Sequence, residues 1–77
     1  MSQFKIGDVV MVDICHIPRH QFEGSSICVI GTIVADAEST MPGVEFICNM
    51  HGHDCDGAGI YGNCFWIYED HIIKLEA

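Results

Sequence analysis

Positive charge is scarce in this sequence: three Lys and Arg residues stand against eleven Asp and Glu, a formal net charge of −8. Phosphate contacts need Lys and Arg, so direct nucleic-acid binding is not expected. An anionic membrane surface would repel the chain for the same reason. No apolar run approaches the ~18 residues that suggest a membrane span. The opening Met1-Ser2-Gln3-Phe4-Lys5 lacks an apolar stretch leading to a small-residue cleavage site, and so points to a cytoplasmic chain. Thiols stay reduced in that compartment. The cysteines number five, an odd count, and are read first as free thiols or metal ligands. Length is also in short supply. A chain of 77 residues is one domain with a marginal core, which gains from a metal, a protein partner or a second copy in a homodimer.

No segment combines the length, cap and period of a helix. What is present is β-rich: hydrophobic residues make up 49% of the chain, too many for disorder. Five apolar runs stand out: Val9 to Ile14, Ile27 to Val34, Val44 to Cys48, Cys64 to Tyr68, and Ile72 to Leu75. β-branched and aromatic residues dominate them, as a half-buried pleated surface favours. Gly31 interrupts the second run and predicts a bulge or a bend there. His16 to Ser26 reads as a long loop, and Glu38 to Gly43 as a turn. Asn49 to Asn63, with four glycines, reads as an irregular connection. Tyr68 to His71 has the length of one 3₁₀ turn. Five short strands in this arrangement predict a small closed or partly closed barrel, since closure removes exposed edges.

The opening Phe4-Lys5-Ile6-Gly7-Asp8-Val9-Val10 resembles the first strand of many SH3-like barrels, where an apolar-x-x-Gly-Asp-x-Val phrase is common. The stretch from Gly62 to Ile72 resembles the end of such a barrel, where a Trp-bearing strand leads through a short turn into the last strand. The resemblance implies an all-β fold, a small SH3-like five-stranded barrel with a long Gly-rich hairpin loop, as a single domain over 1–77. A narrower phrase, His53-Asp54-Cys55-Asp56-Gly57 followed by Gly62-x-Cys64-x-Trp66, is similar to one in a family of small bacteriophage and prophage proteins. Those carry Gly-His-Asn/Asp-Cys and then Gly-His-Cys-Trp-Trp. Here Asn63 stands in the second His place and Phe65 in that of the first Trp. The resemblance brings no activity with it. It implies an accessory protein of a phage or prophage, acting in the host-cell cytoplasm.

The loop from Cys48 to Cys64 concentrates the residues with chemical potential. His51, His53 and Cys55 alternate, so an extended segment projects them to one side, and Cys64 offers a fourth ligand from across the hairpin. Imidazole and thiolate in a tetrahedron suit Zn²⁺, and such a site would order the loop. No Cys-x-x-Cys pair announces zinc, however, and the competing reading is that Cys48 and Cys64 pack inside while the histidines are solvated. Oxidation would instead let Cys55 and Cys64 staple the hairpin. Asp54-x-Asp56 begins like a calcium loop, but Ala58 and Phe65 occupy places where that loop needs acidic ligands. His53, Asp54 and Cys55 are adjacent in sequence, whereas catalytic triads assemble from distant segments, and so small a domain has little room for a cleft. An enzyme is not expected.

Binding is the better-supported class. Tyr61, Trp66 and Tyr68 lie near the carboxylates Asp54, Asp56, Glu69 and Asp70 in sequence. Aromatics beside carboxylates would suit a basic protein partner, including the basic surface of a nucleic-acid-binding protein. The competing reading is that Phe65 and Trp66, on opposite faces of one strand, are in part plain core.

Overall fold

The computed structural model describes residues 4–14 and 28–75; the expected loop from His16 to Ser26 lies outside them. Five strands form one antiparallel sheet: β1 (Val9–Asp13), β2 (Cys28–Ala35), β3 (Gly43–Phe46), β4 (Cys64–Trp66) and β5 (Ile72–Lys74). A 3₁₀ turn over Glu69–His71 precedes β5, as the sequence predicts. Among the described residues no helix is long and apolar enough to cross a membrane.

The strand order is β4-β3-β2-β1-β5. The last strand thus returns to lie beside the first, with Met11 opposite Ile73. Strands β4 and β5 do not pair, so of the expected closed or partly closed barrel the structure gives the five antiparallel strands in one open sheet with two edges. Closure needs enough continuous strand to stagger around an axis, and the two edge strands are only three residues each.

Side-chain alternation assigns the two faces. Val10 and Val12 of β1, Ile33 of β2, Val44 and Phe46 of β3, and Ile72 of β5 point inward and are buried. Each such side chain gains about 1.5–3 kcal/mol from burial, against about 1–2 kcal/mol for fixing its backbone. That surplus makes the inward face the organising core. Phe4, Ile14, Ala37, Met50 and Ile67, from outside the strands, complete it.

Two expectations about strand detail are corrected. The register shift in β2 falls between Ile33 and Ala35 rather than at Gly31. Gly31 is small for another reason: a Cβ there would meet Val44 Cγ1 at 2.6 Å. The third run ends at Phe46, and Ile47 and Cys48 are exposed instead of continuing the alternation. The chain turns away at that point, which begins the long connection to β4.

Candidate functional site

That connection folds back over the outward face of β3 and β4. The outward residues there are Gly43 and Glu45 of β3 and Cys64 and Trp66 of β4, with Gly43 opposite Trp66 and Glu45 opposite Cys64. His53 pairs with Cys64 by two backbone hydrogen bonds: His53 N–H to the Cys64 carbonyl at 2.9 Å, and Cys64 N–H to the His53 carbonyl at 3.0 Å. A compact turn follows, in which the Gly59 amide donates to the Asp54 carbonyl at 3.0 Å. Cys55 and Asp56 adopt left-handed backbone conformations, φ 51° and 59°. Asp tolerates that region better than most residues, whereas for Cys it carries strain. The turn is therefore held by contacts elsewhere in the loop, and two of them are clear.

The first is Glu45. Its Oε2 accepts a hydrogen bond from the Ile60 amide at 2.6 Å, fastening the far end of the loop to the sheet. A bond to an ionised carboxylate is stronger than one between neutral groups. The second is His53, whose Nδ1 accepts from the Cys55 amide at 2.9 Å. The ring lies near Phe65 and Trp66, with centroids 6.0 and 5.8 Å apart.

Beneath the loop lie two buried thiols. Cys55 is 1% exposed and Cys64 fully buried, yet neither belongs to the main core, which occupies the other face. The Cys55 and Cys64 thiols are neighbours here, each altering the other's hold on its proton. The Cys64 thiol in turn approaches the Ile60 carbonyl at 3.6 Å. Two glycines make room for the pair. A Cβ on Gly43 would come within 2.9 Å of Cys55 Sγ, and one on Gly59 within 2.5 Å of Cys64 Sγ. Burial, reinforced by Cys64 and by the carboxylates of Asp56 and Asp54, pushes the Cys55 thiol up to about 12. Burial, with Glu45 next, raises Cys64 as well, while the neighbouring Cys55 acts in the opposite direction. Both groups are neutral near pH 7, the reverse of an activated nucleophile.

The residues expected to share a zinc ion are thus divided. Cys55 and Cys64 come together, His53 stands beside them with Nδ1 engaged, and His51 is exposed in a left-handed conformation. Among the described residues no three His, Cys, Asp or Glu side chains are grouped to hold a metal ion. All four described cysteines, Cys28, Cys48, Cys55 and Cys64, are free thiols. Of the two cysteines read as interior, Cys64 is buried and Cys48 is exposed.

The residues expected to meet a partner are mostly accessible. Tyr61 is 77% and Tyr68 55% exposed, and Asp56 and Asp70 are exposed. Asp54, Trp66 and Glu69 are half-buried. Trp66 lies on the outward face at the sheet edge, against Gly43 and His53, rather than in the core.

The two lysines among the described residues meet at Asp8. Lys74 pairs with Asp8 at 3.4 Å, and the Lys5 amide donates to the same carboxylate at 2.9 Å. That backbone bond, followed by Lys74, holds the Asp8 carboxyl below its usual range. A shallow open hollow of about 550 Å³ lies between Phe4-Lys5-Ile6 and the turn at Asp36 to Ser39.

Sequence reasoning missed Glu45 as the fastener of the loop and Gly43 and Gly59 as the space for the thiols. The signal for Glu45 was its place between Val44 and Phe46, which sets it on the face opposite the core. Compared with protein-family models, with curated proteins and with solved structures, the chain matches none.

Proposed function

We propose that this chain is a small acidic protein-interaction module that binds a basic protein surface through the edge formed by Trp66, Tyr68, Glu69 and Asp70. The observation that carries this reading is the segregation of charge. Among the described residues the two lysines both interact with Asp8, whereas Asp56 and Asp70 are exposed and Asp54 and Glu69 half-buried. Accessible carboxylates together with exposed aromatics suit Arg- or Lys-rich partners, which gain both charge contacts and stacking.

The scaffold we infer is an SH3-like rolled sheet. Its support is the return of β5 to the side of β1 through a 3₁₀ turn, with a core formed on one face of a single sheet. No helix layer covers that face among the described residues, and the burial of Val10, Val12 and Val44 supports a sheet that curls over itself. The phrase from His53 to Trp66, through its likeness to phage and prophage proteins, supports an accessory role directed at a host or phage protein.

The test is titration with a short Arg/Lys-rich peptide, followed by amide chemical shifts and repeated at low and high salt. The expected result is shifts concentrated at residues 66–70, with affinity falling as salt rises. An E69Q/D70N variant should bind on the order of tenfold more weakly, the equivalent of about 1.4 kcal/mol. Equal affinity in the variant, or shifts spread evenly over the molecule, would refute the reading.

A further inference from the structure

We propose that Cys55 and Cys64 form a reversible dithiol–disulfide couple that locks the β3–β4 loop onto the outward face of the sheet. The proposal concerns the loop's own chemistry and stands apart from the choice of partner. Its basis is geometric. The two thiols are neighbours under the loop, each close enough to alter the other's hold on its proton. Cys55 lies two residues beyond His53, which pairs directly with Cys64. Both side chains are buried in the same place, away from the apolar core, and no other described cysteine is buried. Gly43 and Gly59 leave the sulfurs free of the Cβ atoms that would otherwise intrude.

Closure breaks two S–H bonds and forms one S–S bond. The two electrons and two protons pass to a small-molecule disulfide such as oxidised glutathione, which leaves as two thiols. Both protein sulfurs are shielded, so exchange requires the loop to open. The reduced protein is therefore expected to react slowly and its exposed thiols, Cys28 and Cys48, to be modified first. Once formed, the bond closes a ring from residue 55 to residue 64. A ring of this size removes enough unfolded-state freedom to raise the Tm of a small domain by about 10 °C or more.

The experiment uses the full chain with Cys15, Cys28 and Cys48 replaced by Ser, incubated with oxidised glutathione. Intact mass should fall by two hydrogens, peptide mapping should return a 55–64 crosslink, and Tm should rise and then revert with dithiothreitol. The unsubstituted chain, mapped under the same conditions, guards against a variant that folds poorly and should yield the same crosslink. Two thiols that remain alkylatable in denaturant after oxidant treatment would overturn the proposal. So would a stable glutathione adduct without closure, or an oxidised form that melts at or below the reduced one.

Discussion

The outward face of the sheet is treated in two ways. Over β3 and β4 the chain covers it with its own loop, hiding two thiols and using Glu45 and His53 as fasteners. Over β1, β2 and β5 the described residues leave it bare. Ile30, Met11 and Ile73 stand side by side across the three strands, and Ile73 is 63% exposed. The covered half is built from Gly43, Glu45 and Cys64 with Trp66 at its edge, and the bare strip from the aliphatic Ile30, Met11 and Ile73. Covering a surface therefore does not follow from its hydrophobicity here. It follows from specific hydrogen bonds and from the absence of side chains at Gly43 and Gly59, which let the loop approach.

The comparison can be broken most directly at Gly43. Its added methyl in Gly43→Ala would press on Cys55 Sγ, on the Trp66 ring at 2.9 Å and on the Ala35 Cβ at 3.1 Å. Overpacking of this kind costs about 1–3 kcal/mol, measurable by urea unfolding. A neutral effect would mean that the loop rides loosely over the sheet.

A smaller effect sharpens the same contrast through pH. The folded Cys55 thiol, at about 12, holds its proton more tightly than an unfolded thiol near 9.0. Below about pH 9 both states are protonated and stability is unaffected. As pH rises from about 9 toward 12 the unfolded chain ionises first, and stability falls by up to ~1.4 kcal/mol per pH unit for that group. Unfolding curves between pH 8 and about 11 should show this decline, and Cys55→Ala should flatten it, leaving the contribution of Cys64. An identical slope in the variant would show that Cys55 is not shielded as described.

The smallest change belongs to the bare half. Ile30→Thr keeps a β-branched side chain on an outward, exposed position, so stability should move by no more than about 0.5 kcal/mol. A loss well above that would reveal that this strip is covered in solution.

The five strand regions were legible in advance, but Val9, Val10, Met11 and Val12 are all apolar, and only the structure shows that Val10 and Val12 face inward. The limits of the strands were not legible either. Ile47 and Cys48 continue the apolar pattern of β3, yet the backbone leaves the sheet after Phe46 and exposes both. The candidate site was legible only in its parts. His53, Cys55 and Cys64 stood out, but the sequence grouped them with His51, and the left-handed turn at His51 leaves that side chain in solvent.

By itself the sequence determined the all-β class, the acidic balance and the approximate places of the five strands, because period-two alternation and charge are local properties of the chain. Tertiary structure decided the rest: that the sheet stays open, that Cys64 is buried where Cys48 is not, and that Cys55 meets Cys64 beneath the loop. Those outcomes depend on which backbone segments approach closely enough to exchange hydrogen bonds and where glycine leaves space, and both join residues far apart along the chain.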